Sequence, residues 1–287
     1  MLKIDQYLHA LLKVSLEAGR AVLDIYATGF SVSYKDDHSP LTLADRRSNE
    51  IITSRLSASP FNQFPILSEE GRDIPYKERK NWEYFWLVDP LDGTKEFIRR
   101  NGEFTVNIAL MKRNRPVAGV IYIPVKDIFY FTAEGSGAYR LADSKIINHD
   151  LSLDELMNKS DRLPILYTHP PEAGHKSPVK IIASRSHLLQ ETEDFIRKTK
   201  DRYGEVEIIS SGSSLKFCLI ADGTADIYPR FGPTMEWDTA AGQCIVEEAG
   251  GEVLHSETLE PLKYNKEDLL NPWFLVLSSD QISRYKL

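Results

Sequence analysis

At 287 residues the chain is long enough for one large core or two ordinary domains. Hydrophobic residues at 42% and charged residues at 27% describe a globular protein and exclude a disordered one. A net charge of -7 excludes a general nucleic-acid-binding surface, so a polyanionic ligand would need metal ions or a few focused basic groups.

Residues 3–26 set Ile4, Tyr7, Leu8, Leu11, Leu12, Leu16, Val22 and Ile25 at mostly helical intervals, which predicts an amphipathic helix. Asp5, Lys13, Glu17, Arg20 and Asp24 interrupt the same stretch, unlike a signal peptide, and no apolar run approaches membrane-spanning length. An intracellular, cytoplasmic protein is the expectation. Residues 31–35 alternate like a strand until Asp36-Asp37-His38-Ser39-Pro40 breaks it. A second helix is predicted over 45–56, and Phe64-Pro65-Ile66-Leu67 leads into Ser68-Glu69-Glu70-Gly71. The apolar run Tyr84-Phe85-Trp86-Leu87-Val88 predicts a strand that opens into Asp89-Pro90-Leu91-Asp92-Gly93-Thr94, with a helix starting over 94–99. Residues 104–110, 117–122 and 127–131 read as successive antiparallel strands. Residues 152–178 are polar and proline-rich, a domain junction or a surface excursion. A strand over 179–183 and a helix over 187–200 follow, and the alternation of strand and helix from there predicts an α/β second half. The expected division is an α+β metal-binding portion over 1–150 and an α/β substrate-binding portion over 151–287. Cys218 and Cys244 both lie in apolar helical patterns and read as buried thiols.

The stretch with most chemical content is 89–94. Pro90 fixes the backbone after Asp89 and Gly93 permits a tight turn after Asp92, so the two carboxylates can converge. Hard oxygen ligands of this kind suit magnesium, and free N–H groups at the following helix start suit a phosphate. The alternative is a turn cap at Asp89 and a helix cap at Thr94. Glu69, in a pair with Glu70, is either a further ligand or solvated. Asp238, in Glu236-Trp237-Asp238-Thr239, is predicted in the first turn of a helix running through Glu248, as a ligand or as a cap. Glu69, Asp89, Asp92 and Asp238 in one cleft would repel one another unless divalent cations neutralised them. Two or more magnesium ions would do so and clamp a phosphate, the two-metal solution to phosphoester hydrolysis. Asp45 is either an N-cap or the partner of Thr94, whose hydroxyl could take a proton from the attacking water and donate to the carboxylate.

Together these residues resemble the magnesium-dependent phosphatase superfamily of inositol monophosphatase and fructose-1,6-bisphosphatase. Glu69-Glu70, residues 89–94 and Trp237-Asp238 with Ala240-Ala241-Gly242 carry that likeness. Residues 212–218 and 221–230, Gly232-Pro233-Thr234 and Ser184-Arg185-Ser186-His187 resemble its CysQ-type 3'(2'),5'-bisphosphate nucleotidase branch. The resemblance implies a layered αβαβα sandwich, α+β then α/β, with the active site between the two parts. It implies that Glu69, Asp89, Asp92 and Asp238 bind metal, with Leu91 acting through its carbonyl. Asp45 and Thr94 match the water-activating pair, Glu69 is counted with them, and Gly93 and Thr94 match the backbone that holds the phosphate. Glu69, Leu91, Asp92 and Asp238 then also border the substrate.

A bisphosphorylated nucleotide needs a second anion site. Lys216 is a candidate for it, acting with backbone donors of the preceding Gly212-Ser213-Ser214, where Gly212 is a substrate contact, or it is an exposed helix lysine; Arg230 is a second anchor, or a surface ion-pair partner. His187 contacts the nucleoside or caps a helix. The implied activity is phosphoric monoester hydrolysis of adenosine 3',5'-bisphosphate to AMP and phosphate, extending in some members to 3'-phosphoadenylyl sulfate and linked to sulfur assimilation. An inositol phosphatase and a catalytically silent nucleotide-binding protein are the alternatives. The expected partner is the small-molecule nucleotide, with no nucleic-acid polymer and no obligate protein partner. Some bacterial members associate with the cytoplasmic face of the inner membrane, so peripheral membrane association is a second setting.

Overall fold

In the computed structural model, which describes residues 7–34, 40–149, 151–165, 178–183 and 189–285, the apolar repeat near the N-terminus forms α1 (Leu8–Tyr26). Leu8, Leu11, Leu12, Leu16 and Val22 are buried along one stripe. The next strand, β1 (Val32–Tyr34), pairs antiparallel with β2 (Pro40–Thr42), and residues 35–39 between them lie outside the described residues. Helix α2 (Leu43–Leu56) starts two residues earlier than predicted because Thr42, not Asp45, is its N-cap. Asp45 stands at the third helical position and accepts the Thr42 N–H, the reciprocal half of a capping box.

The chain then runs through β3 (Ile66–Ser68), α3 (Tyr76–Arg79), β4 (Tyr84–Asp92), α4 (Thr94–Ile98), β5 (Thr105–Lys112), β6 (Arg115–Ile123), β7 (Ile128–Ala133), β8 (Ala138–Ala142), α5 (Leu153–Asn158) and β9 (Asp161–Arg162). These strands form a seven-stranded sheet in the order β3-β4-β5-β6-β7-β8-β9, antiparallel except for β3 with β4. The polar segment after residue 151 is not all excursion: it supplies α5 and the last strand of this sheet. The rest of it, 166–177, lies outside the described residues.

The second half contains β10 (Val179–Ala183), α6 (Gln190–Tyr203), β11 (Val206–Ser210), α7 (Leu215–Ala221), β12 (Ile227–Arg230), α8 (Glu236–Glu248), β13 (Glu252–His255), β14 (Phe274–Leu277) and α9 (Ser279–Tyr285). Its five strands order as β11-β10-β12-β14-β13, with parallel pairing of β10 to β11 and β12.

Strand alternation sorts the side chains into layers. Trp86, Val88, Ile108 and Leu110 pack on α1 and α2. Phe85, Leu87, Ala109 and Met111 face the opposite way, onto Phe217 and Cys218 of α7 and Ala241 and Ile245 of α8. Tyr228 and Val276 close that core from the second sheet, whose far face, with Ile181 and Ile227, packs on Phe195 and Ile196 of α6. The result is the expected αβαβα sandwich. Both cysteines are buried and free within it.

Candidate active site

The inward row of β4 runs Phe85, Leu87, Asp89, so the first carboxylate occupies a place the strand period assigns to the core. It is almost fully buried. Beside it, β3 and β4 run parallel, and the Glu69 N–H donates to the Val88 carbonyl at 3.1 Å, extending the ladder by one residue and setting Glu69 next to Asp89. A bulge between Asp89 and Asp92 breaks the register with β5 and lets both carboxylates serve one region. The Leu91 N–H turns back to Asp89 Oδ1 at 3.1 Å.

Three residues of α2 hold these loops. Asp45, Ser48 and Asn49 share one helix face at i, i+3, i+4 spacing. Ser48 donates to the Pro90 carbonyl at 2.7 Å, and Asn49 Nδ2 donates to the Glu70 carbonyl at 3.2 Å. Asp45 Oδ1 accepts the Thr94 hydroxyl at 2.9 Å, while its Oδ2 accepts both the N–H and the hydroxyl of Thr42 at 2.7 and 2.6 Å. Burial raises the Asp45 pKa, against the lowering effect of these hydrogen bonds. Ser48 and Asn49 escaped sequence reasoning; the signal was a polar face where an amphipathic helix would be apolar.

Thr94 opens α4, a helix of five residues, shorter than the sequence suggested. Its hydroxyl also lies 3.3 Å from the Leu91 carbonyl. Gly93 precedes it with φ 90°, where a side chain would be strained and would press on Glu103 and Ser213. From the other half, Asp238 sits in the first turn of α8, its Oδ2 accepting the Met235 N–H at 2.9 Å. Ser214 joins the two halves: its hydroxyl lies 2.5 Å from Asp92 Oδ2 and 2.9 Å from the Asp238 carbonyl.

The carboxylates perturb one another. Burial first, then the charges of Glu69, Asp92 and Asp238, push the Asp89 pKa well above the usual carboxylate range. Burial and then the charge of Asp92 do the same to Asp238, which the Met235 N–H and, less, Arg230 partly offset. Among the described residues no three such side chains already enclose an ion-sized point; they meet as mutually destabilising neighbours. Two oxygens on the same face of β5, Thr105 Oγ1 and Asn107 Oδ1, are buried with no hydrogen-bond partner among the described residues. It is the carboxylates, hard oxygen donors whose charges are under-compensated, that fit a divalent cation such as magnesium.

Asp92 and Asp238 open onto a cleft of about 380 Å³, within the usual range for small-molecule sites. Gly212, Lys216 and Arg230 line the same cleft. The Gly212 N–H is taken by Glu103 Oε2 at 3.0 Å, and a Cβ there would meet Glu96 Cγ at 2.6 Å, so this glycine permits a close approach of α4 rather than offering a free donor. Lys216 Nζ lies 5.5 Å from the centre of the Tyr228 ring. Arg230 donates to the Pro233 carbonyl at 3.0 Å, and its buried Nε has no partner among the described residues. Lys95 on α4 and Arg99 at its C-cap add two further cations that sequence reasoning missed. His187 lies outside the described residues.

The sequence profile of the inositol monophosphatase family matches residues 3–275. The chain is 40% identical over 269 residues to the 3'(2'),5'-bisphosphate nucleotidase CysQ of Shigella flexneri, covering 92% of this chain and 96% of the relative. It superposes on the crystal structure of CysQ from Bacteroides thetaiotaomicron with a TM-score of 0.82 and 48% identity, over 96% of this chain and 99% of that one. The SuhB protein of Bartonella henselae is similar at a TM-score of 0.68 and 26% identity, over 96% and 94%. Fold, carboxylate row and sequence agree, and the chain belongs to the inositol monophosphatase family.

Proposed function

We propose that this chain is a magnesium-dependent 3'(2'),5'-bisphosphate nucleotidase that hydrolyses adenosine 3',5'-bisphosphate to AMP and phosphate, with 3'-phosphoadenylyl sulfate as a second substrate. The observation that carries the reading is the Thr94–Asp45 hydrogen bond at 2.9 Å, beside a row of under-compensated carboxylates. The relatives at 40% identity, which bear the nucleotidase name, support the choice of substrate.

Glu69, Asp89, Asp92, Asp238 and the Leu91 carbonyl would hold two or more magnesium ions, which supply Lewis-acid polarisation of the phosphoryl group and acidify water. Thr94 Oγ1 takes a proton from the attacking water as it passes its own to Asp45 Oδ1. The buried, pKa-raised Asp45 is suited to receive that proton, and Thr42 anchors its other oxygen. Water oxygen bonds to phosphorus as the bond to the ribose 3'-oxygen breaks; that oxygen leaves as the alcohol after taking a proton from solvent, and Asp45 returns its own. The Gly93 and Thr94 N–H groups orient the phosphoryl oxygens.

Lys216 and Arg230 hold the second phosphate, with Lys95 and Arg99 adding positive potential. The nucleoside lies in the cleft toward Tyr228, with His187 as a further contact. Metal binding falls mainly to the N-terminal portion, with Asp238 added from the C-terminal one, and nucleotide recognition falls mainly to the C-terminal portion, with Lys95 and Arg99 added from the N-terminal one. Clearing this nucleotide in the cytoplasm is the role we assign, as a self-sufficient enzyme. Among the described residues no helix is long and apolar enough to cross a membrane. Chromatography of a reaction on adenosine 3',5'-bisphosphate tests the reading: AMP and phosphate should form in equal amounts with magnesium and cease with EDTA. Product formation unaffected by EDTA would overturn it.

A further inference from the structure

We infer that Ser214, oriented by Asn107, is a positioning residue that sets the spacing of Asp92 and Asp238 and selects which oxygen of Asp92 is offered to the cation. The inference rests on the metal-centre reading above and adds to it.

Ser214 is the N-cap residue of α7, yet its side chain makes no capping hydrogen bond. A serine there ordinarily accepts a backbone N–H of the first turn. Here the hydroxyl is turned away, toward the carboxylates. It is buried and meets three polar partners: Asp92 Oδ2 at 2.5 Å, the Asp238 carbonyl at 2.9 Å and Asn107 Nδ2 at 2.8 Å. Nδ2 can only donate, so the Ser214 lone pair faces Asn107. The single hydroxyl proton is thereby directed to the acceptors, and Asp92 has the shorter contact.

Asn107 is placed by its strand, and its Nδ2 holds the Ser214 hydroxyl. It lies directly opposite Asp89 in the β4–β5 pairing and is buried in the sheet. The chain of contacts therefore runs from β5 through the start of α7 to β4 and the first turn of α8. Asp92 and Asp238 come from different layers of the sandwich, and the Ser214 hydroxyl touches both residues. Holding Asp92 Oδ2 leaves Oδ1 as the oxygen free for a hard cation. Without that bond the carboxylate rotates, and part of the binding energy goes to ordering it.

The test is Mn2+ binding by calorimetry and electron paramagnetic resonance on metal-stripped protein, alongside steady-state kinetics. Ser214→Ala should weaken Mn2+ binding by about 10–100-fold, as loss of a bond to a ligand does. Saturating metal should restore most of kcat, with the nucleotide KM unchanged. Asn107→Ala should weaken binding in the same direction, and the double variant should be no worse than Ser214→Ala, because Asn107 acts through the hydroxyl. Mn2+ affinity within about threefold of the parent in Ser214→Ala would overturn the inference. Should that variant not fold, Asn107→Ala alone decides by the same criterion. Asp92→Asn separates the two levels. Its loss of Mn2+ binding, with Ser214→Ala unaffected, removes only the positioning role. Unchanged Mn2+ binding in Asp92→Asn removes the metal reading itself.

Discussion

Replacing Asp45 with Asn tests the water-activating pair with little disturbance of the fold. Asparagine keeps the volume, and its side-chain oxygen can still accept the Thr42 N–H that Asp45 Oδ2 takes at 2.7 Å. Its NH2 group then faces Thr94 Oγ1, now 2.9 Å from a carboxylate oxygen. A donor in that place forces the hydroxyl to accept, so it has nowhere to pass a proton. Loss of a positioned base lowers kcat by roughly 10²–10⁴-fold, about 2.7–5.5 kcal/mol of barrier. Stability should change little. The Thr42 hydroxyl loses a charged acceptor, costing about 1 kcal/mol, while removal of a buried carboxylate whose charge burial disfavours offsets it. The assay is phosphate release at saturating magnesium and nucleotide, with the melting temperature measured in parallel. A folded Asp45→Asn protein with kcat within about threefold of the parent would refute the proton relay.

The carboxylate row predicts an unusual pH dependence. The Asp89 and Asp238 pKa values are raised above the ordinary 3.8, so the metal-free native state binds more protons than the unfolded chain. Stability of the metal-free protein therefore falls as pH rises from about that value through the raised native values. Melting in EDTA should be higher at mildly acidic than at neutral pH, and magnesium should stabilise more as pH rises; Asp89→Asn should raise the metal-free melting temperature at neutral pH, and a lowered one would contradict the account. Lys216→Ala removes a charged partner worth about 1.5–3 kcal/mol. It should reduce kcat/KM on the bisphosphate nucleotide by roughly 10–100-fold while leaving 3'-AMP turnover within about threefold, and an equal loss on both would remove Lys216 from the second-phosphate site.

Local spacing carried much of the site. Asp89 was legible because a strand row of large apolar residues ends in a carboxylate, and Asp92 because Pro90 and Gly93 mark a turn. Asp238 was legible from its place three residues into a helix. What escaped depends on contacts between distant segments. Ser214 and Asn107 are 107 positions apart, and neither residue type signals a ligand support by itself. Ser48 and Asn49 show in the sequence only as a polar face on a helix, and what that face holds depends on loops from distant segments. The α2 boundary was missed because Thr42 caps a helix whose third residue also looked like a cap. Strand β9 is two residues long, too short for any periodicity to register. Gly212 was read as a substrate contact; in the fold Glu103 holds its N–H and Glu96 packs against it.

The central claim is that the carboxylate row serves hydrolysis and the basic cleft beside it selects a bisphosphorylated nucleotide. Parallel kcat/KM measurements on adenosine 3',5'-bisphosphate and inositol monophosphate, each across a magnesium titration, test it most directly. The account predicts magnesium-dependent turnover of both or of the nucleotide alone, with a clear preference for the nucleotide. A preference for inositol monophosphate, or nucleotide turnover independent of magnesium, would contradict it.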